Sequence, residues 1–121
     1  MPIVDVEIVG ATEAEAALCA QPLADALGLI FGSGAGGTWV RARGLPAANY
    51  AENDDHEPAG RDAVFVTVLQ RTRPELSVLE MEAARVSEAV AAACGRPRER
   101  VHVLYEPPAA GRVAFGGRLV R

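Results

Sequence analysis

The residues best suited to chemistry are a proline at position 2, arginines in close pairs, and a few polar side chains near them. Pro2 heads the stretch MPIVDVEIVG. A proline has no N–H to give to a sheet, and the first position of a strand is one of the few that tolerate it. Edge geometry alone would account for it. Removal of Met1, which a proline at the second position permits, would instead make Pro2 a free secondary amine. An α-amine has an ordinary pKa of about 7.7–8.0, so it can both take and return a proton near neutral pH. The arginines occur as Arg41 and Arg43, alternating on one strand, and as Arg71 and Arg73 in QRTRP, just ahead of a helical segment. Cations at a helix N-terminus oppose its dipole, so the second pair asks for a reason.

Other groupings carry less. GSGAGG (Gly32–Gly37) satisfies G-x-G-x-x-G, but it lies after a helix and before a strand. A dinucleotide site needs strand, glycines, helix. The run Asp54-Asp55-His56-Glu57 has no second ligand group at metal spacing and reads as a solvated loop. No metal is expected. Cys19 and Cys94 are far apart in sequence and form no CxxC pair. They read as small buried hydrophobes.

The elements that must hold these residues repeat. Ile3–Val9 is a strand with Val4, Val6 and Ile8 on one face, and Pro2 shares their parity. Thr12 and Glu15 form a T-x-x-E capping box for a helix reaching about Ile30 and ending near Gly32. Pro22 lies inside it, and either kinks the helix or restarts a second one. TWVRAR (Thr38–Arg43) is a second strand with Trp39, Arg41 and Arg43 on one face. A polar connection, Gly44–Arg61, follows. Then the plan recurs, with a strand over Ala63–Gln70, a helix opened by Pro74 and Glu75, and a strand over Val101–Glu106. In the second helix Leu76, Leu79, Ala83, Val86, Val90 and Cys94 make the apolar face, and Gly95 and Pro97 end it. The tail PPAAGRVAFGGRLVR reads as a turn and a short hairpin.

The order β-α-β, linker, β-α-β gives one α+β domain over residues 1–121, with unit one at about 2–61 and unit two at about 62–121. Each helix joins two parallel strands. The expected product is a four-stranded sheet with two helices on one face, and the other face covered by further copies of the chain.

Three features together resemble the tautomerase superfamily: Pro2, the doubled β-α-β unit, and the ending VHVLYEPPAAGRVAFGG. The closest pattern is the 4-oxalocrotonate tautomerase type, here as a fused two-unit member. The resemblance implies the tautomerase/MIF-like fold, a trimer, no cofactor, and a small carboxylate substrate. It implies that Pro2 acts as general base or acid, and that Arg71 and Arg73 hold the carboxylate through paired N–H donors. Arg41, Tyr50, Arg112 and Phe115 are further substrate-binding candidates, the last two in the hairpin that walls the pocket. Arg41 and Arg43 extend the anion site or simply edge the sheet. Two positions depart from the pattern: His102 stands where short-subunit relatives carry a binding arginine, and Val113 where they carry an aromatic.

The activity this implies is a tautomerase moving a proton in a small keto-enol acid. Two alternatives stand beside it. One is a decarboxylase, or a hydratase or dehalogenase, acting on a 3-oxo or haloacrylic acid. That reaction needs a further acid, for which Glu52, beside Tyr50 in NYAEN, is the nominee. The hydratase members carry a further Glu near a longer C-terminus, so the ending at Arg121 counts against that branch. The other alternative is a non-catalytic trimeric binding module.

Composition narrows the class. The 121 residues are 50% hydrophobic with a net charge of −4, which disfavours nucleic acid as a partner. No apolar run is expected to approach the ~20 residues of a membrane span, and no secretory leader is evident. A cytoplasmic, membrane-free protein is the expectation.

Overall fold

β-Branched residues at alternate positions make Ile3–Val9 a strand (β1), with Val4, Val6 and Ile8 buried. The computed structural model describes residues 2–56 and 62–121. From β1 the chain runs through α1 (Glu13–Phe31), β2 (Trp39–Leu45), β3 (Val64–Leu69), α2 (Leu76–Cys94) and β4 (Val101–Tyr105). The hairpin β5 (Ala114–Phe115) and β6 (Arg118–Leu119) closes it. The sheet order is β2-β1-β3-β4. β1 is parallel to β2, β3 is parallel to β4, and the two central strands are antiparallel. This is the expected doubled β-α-β plan.

The capping box forms as read. The Thr12 hydroxyl accepts from the Glu15 N–H, and the Glu15 carboxylate accepts from the Thr12 N–H. That backbone bond holds the Glu15 carboxyl below its ordinary pKa. α1 is one continuous helix through Pro22, which resolves the choice between a kink and a restart. Pro22 lies on an exposed turn, where water can satisfy the carbonyl it leaves free. Gly32 ends α1 and Gly95 ends α2, both in the left-handed conformation that glycine enters without a Cβ clash.

Three expectations need correction. α2 begins at Leu76, not at Pro74, because Glu75 keeps an extended ψ of 156° and serves as the N-cap. Leu76, the first helical residue, stays 73% exposed, and the buried residues of α2 are Val86 and Val90. α1 does approach a membrane span in length and composition, at 19 residues and mean hydropathy 1.3. Its Ala16, Leu23 and Leu27 are buried in the core under the sheet. Leu23 and Leu27 each contribute about 1.5–3 kcal/mol of apolar burial.

Both helices pack on the face formed by Val4, Val6, Ile8, Val64, Val66 and Val68. Cys19 and Cys94, distant in sequence, meet where α1 and α2 adjoin, and both are free thiols. Burial pushes the Cys94 thiol up to about 12, and neighbouring Cys19 adds to the effect.

The other face of the sheet carries three rows of side chains. Register places Trp39, Ile3 and Leu69 in one row. Glu106 follows Tyr105, the partner of Val68, and so continues that row beside Leu69. The second row is Arg41, Asp5, Thr67 and Leu104, and the third is Arg43, Glu7, Phe65 and His102.

Where β2 ends it crosses the start of α1 with no room to spare. The Gly44 N–H donates to Glu13 Oε1 at 3.1 Å. A Cβ at Gly44 would lie 2.1 Å from the Ala11 carbonyl oxygen. Gly44→Ala should therefore destabilise the fold by about 1–3 kcal/mol through overpacking, read as a lower calorimetric midpoint. An unchanged midpoint would contradict this packing.

Candidate active site at the head of the central strand

Pro2 is buried at the head of β1, with the parity of Val4 and Val6. Its carbonyl accepts from the Trp39 N–H at 3.0 Å, which extends the β1–β2 ladder by one bond. Trp39 is fixed twice more. Its indole N–H donates to the Gly36 carbonyl at 2.9 Å. Its ring meets Phe115 edge to face, with centroids 5.3 Å apart and planes at 81°, a favoured aromatic geometry. Trp39 thus links the strand head, the glycine loop and the C-terminal hairpin.

The hairpin reaches this end because the tail is tied to the end of β3. The Ala109 N–H donates to the Gln70 carbonyl, and the Ala110 N–H to the Arg71 carbonyl. Gly116 and Gly117 turn the hairpin with φ of 57° and 86°, the left-handed pair of a two-residue hairpin loop. Arg71 Nε donates to an oxygen of the Arg121 main-chain carboxylate at 2.6 Å. Arg71, Phe115, Arg118 and Arg121 help line a cavity of about 400 Å³. Arg73 is exposed and lines none of the cavities described here.

A second cavity, of about 290 Å³, opens on the first two rows of the sheet face. Ile3, Leu69, Asp5, Thr67, Arg41 and Glu106 form it, and Arg112 and Val113 from the tail wall it. Arg112 donates from Nε and Nη2 to the Pro108 and Pro107 carbonyls at 3.0 and 3.1 Å. These acceptors are neutral, so its charge stays uncompensated. Arg41 differs. Its Nε and Nη2 meet both oxygens of Asp5 at 2.6 and 2.8 Å. Arg43 pairs with Glu7 at 3.2 Å one row further on. Both arginines of β2 therefore face carboxylates of β1 in register, a pairing not seen when the strands are read separately.

Tyr50 and Glu52 are not brought to Pro2 within the chain. They lie at the opposite end of the sheet, where β3 and β4 begin. The Tyr50 hydroxyl donates to Glu52 at 2.5 Å, and Arg100 donates to Glu52 at 2.6 Å and to Asp62 at 3.1 Å. Tyr50 packs on Phe65, and Phe65 on His102. The cause is the antiparallel pairing of β1 with β3, which sends the two units' corresponding ends to opposite edges. The hydrogen bond to Glu52 raises the Tyr50 pKa. Arg100, ahead of Tyr50, holds the Glu52 carboxyl below its ordinary range, which disfavours Glu52 as a proton donor. Sequence reading did not single out Arg100, Asp62, Asp5 or Glu106; only strand register and the linker's return to the start of β4 bring them into play.

Of the acidic run, Glu57 lies outside the described residues. Among the described residues no group of three or more His, Cys, Asp or Glu side chains is placed to hold a metal ion. The glycine run follows α1 and precedes β2, as read.

No family model matches the chain, and no curated protein matches its sequence. Solved structures do match its fold. A fused 4-OT, solved as a symmetric trimer, superposes with a TM-score of 0.77 at 17% identity, over 98% of this chain and 94% of that one. A protein solved after inactivation by 2-oxo-3-pentynoate gives 0.76 at 16% identity, over 98% and 94%. Malonate semialdehyde decarboxylase, described with decarboxylase and hydratase activities, gives 0.69 at 19% identity, over 94% and 90%. The chain has the tautomerase-superfamily fold.

Both tyrosines ionise late. Tyr50 is raised first by its bond to Glu52, and Tyr105 by burial and then by Glu82. At pH 10, the ordinary tyrosine value, the folded protein should show well under half of its full tyrosinate absorbance. The unfolded chain should show about half. Glu52→Gln should move the earlier ionisation step to lower pH. Half-ionisation of the folded protein at pH 10 would contradict the arrangement.

Proposed function

We propose that the chain is a cofactor-independent tautomerase of small 2-oxo or 2-hydroxy-2-enoic acids. The nitrogen of Pro2, freed by removal of Met1, is the proton carrier. The observation that carries this reading is the placing of Pro2: buried at the head of a central strand and held to Trp39, whose ring meets Phe115, at the sheet end whose two cavities are lined by Arg71 and by Arg112. The superfamily fold supports it.

The chemistry follows from the surroundings. Tautomerisation moves a proton between carbon and oxygen, so one group must take and give it at similar pH. Burial disfavours a protonated amine, and the Arg112 guanidinium, bonded only to neutral carbonyls, disfavours it further. Both effects lower the Pro2 pKa below that of a free α-amine, which favours the base form at neutral pH. Arg112, with Arg71 through its remaining donors, holds the substrate carboxylate and stabilises negative charge that develops on the enolate oxygen. Arg41 has a smaller part, since Asp5 already occupies its fork.

A second reading, decarboxylation of a 3-oxo acid, is supported by the Arg71-x-Arg73 pair and by the fold shared with malonate semialdehyde decarboxylase. In that case a protonated Pro2 would polarise the carbonyl.

We further infer a homotrimer. The exposed sheet face carries Trp39, Phe65 and Leu104, and a structural neighbour forms a symmetric trimer. Sedimentation equilibrium should return three times the 12.7 kDa chain mass, and a monomer would contradict it.

The test of the activity uses protein whose N-terminus is fixed by intact mass. Chain lacking Met1 should ketonise phenylenolpyruvate, lose that activity on treatment with 2-oxo-3-pentynoate, and carry one adduct on the Pro2 peptide. Chain retaining Met1 should do neither. Equal turnover by the two forms would overturn the assignment of Pro2. Release of carbon dioxide from malonate semialdehyde without phenylenolpyruvate turnover would favour the second reading. Ligand binding without any turnover would identify a binding module.

A further inference from the structure

Resting on the proposed role of Pro2, we propose that Gln70 is a positioning residue: its side-chain oxygen accepts the N–H that Pro2 gains when Met1 is removed, and so fixes the direction of the nitrogen lone pair. The register makes the two residues neighbours. The Val9 N–H donates to the Ala63 carbonyl at 3.0 Å, and Ile3 lies opposite Leu69. Hydrogen-bonded and non-hydrogen-bonded pairs alternate along an antiparallel ladder, so Ile3 and Leu69 form a hydrogen-bonded pair. One residue further, Pro2 and Gln70 face each other as a non-hydrogen-bonded pair, with Cα atoms about 4.5 Å apart. The backbone agrees, since both carbonyls point outward, Pro2 to the Trp39 N–H and Gln70 to the Ala109 N–H. Both side chains lie on the helix face, away from the open face of the sheet. Pro2 has the parity of Val4, and Gln70 reaches Glu82 of α2.

Glu82 settles how the Gln70 amide is turned. Its carboxylate accepts from Gln70 Nε2 at 3.1 Å, and an ionised carboxylate can only accept, so Gln70 Oε1 faces the other way. That oxygen is buried with no hydrogen-bond partner among the described residues, an arrangement that costs free energy. Neighbouring hydroxyls do not relieve it. Thr38, beyond Pro2 in the same row, is bonded to Ser33 at 2.7 Å. The Tyr105 hydroxyl makes no hydrogen bond, and its charged neighbour is Glu82. While Met1 is attached, Pro2 has no N–H. Removal of Met1 creates the missing donor at the facing position. The free amine then carries one hydrogen and one lone pair. With the hydrogen held by Gln70, the lone pair is left for the side away from α2. It takes the hydroxyl proton of the enol, and the nitrogen becomes an ammonium with two hydrogens. The newly gained one passes to the C=C electron pair as the C=O bond forms, and the other stays on Gln70. An acceptor binds an ammonium more strongly than an amine, so Gln70 partly offsets burial and Arg112 and keeps the nitrogen able to retake a proton. The titratable groups around this row are Glu82 from α2, Tyr105 from β4 and, from the other side, Arg71 and Arg112.

A ¹⁵N titration of the processed, full-length chain labelled in proline reads this bond without turnover, beside the rate of phenylenolpyruvate ketonisation. Gln70→Met keeps the size and removes the acceptor. It should lower the Pro2 midpoint by about half to one pH unit, the difference between a charge-assisted and a neutral hydrogen bond. It should also lower kcat by about tenfold, with KM little changed. The exchange Gln70→Glu with Glu82→Gln keeps a bond between the two side chains, reverses its donor and acceptor, and sets a charged acceptor beside Pro2. It should raise the midpoint above that of wild type. Melting curves show which variants are folded. A Gln70→Met protein with a lower melting temperature and an unmoved midpoint overturns the proposal and leaves Gln70 as a tie between the end of β3 and α2. Should that variant fail to fold, an exchange variant whose midpoint does not rise overturns it equally. The outcome is separable from the tautomerase assignment. Midpoints that move as expected without turnover of phenylenolpyruvate remove the assignment and leave the bond to Gln70, whereas turnover with unmoved midpoints does the reverse.

Discussion

Everything at the candidate site depends on the register of β1 between its two neighbours. The backbone pairs Ile3 with Trp39 on one side and with Leu69 on the other. Because side chains alternate at a strict period of two, a slip of one residue would send Asp5 and Glu7 into the core and Val4 and Val6 out of it. The buried valines of β1 and β3 forbid that. With the register fixed, Pro2 must stand beside the start of β2 and the end of β3. The same pairing brings Arg41 to Asp5 and Arg43 to Glu7. Both ion pairs are exposed on the arginine side, and such pairs contribute about 0–1 kcal/mol to stability. Their consequence is for charge balance, since they remove two arginines from the anion-binding inventory.

The tail then determines which end of the sheet is walled. Two backbone bonds tie Ala109 and Ala110 to Gln70 and Arg71, and the edge-to-face contact of Phe115 with Trp39 pins the hairpin over the head of β1. At the opposite end the linker takes the corresponding place. There Arg100 is shared between Glu52 and Asp62, and Tyr50 caps the cluster. The doubled plan thus yields two unlike ends. One has a proline at the strand head and an arginine, Arg112, bonded only to neutral carbonyls. The other has an arginine already satisfied by two carboxylates.

Strands, helices and caps were legible in the sequence because they are set locally. The alternation in IVDVEIV, the Thr12–Glu15 box, Gly32, Gly95 and the Gly116-Gly117 turn each carry their own signal. The start of α2 was misplaced by two residues because Pro74 fits a first helical turn as well as the extended residue before a cap. The site was legible in part. Pro2, Arg71, Arg112 and Phe115 do lie at one end, as their places in the doubled plan suggest. Tyr50 and Glu52 lie within the chain at the other end of the sheet, a placement set by the antiparallel pairing of β1 with β3, which the sequence of either unit alone does not show. Asp5 and Glu106 were passed over because a carboxylate on a strand face or after a strand end looks like ordinary solvated polarity until its neighbours are known.

The central claim is that the Pro2 nitrogen is an amine whose surroundings make it a base at neutral pH. A ¹⁵N NMR titration of protein lacking Met1, with ¹⁵N-labelled proline, reads that nitrogen directly. Seven of the eight prolines are amides and do not titrate, so any moving resonance belongs to Pro2. The account predicts a midpoint below the ordinary α-amine range of about 7.7–8.0, because burial and nearby guanidiniums both penalise the protonated form. A midpoint within or above that range, or a Pro2 nitrogen that does not titrate, would contradict it.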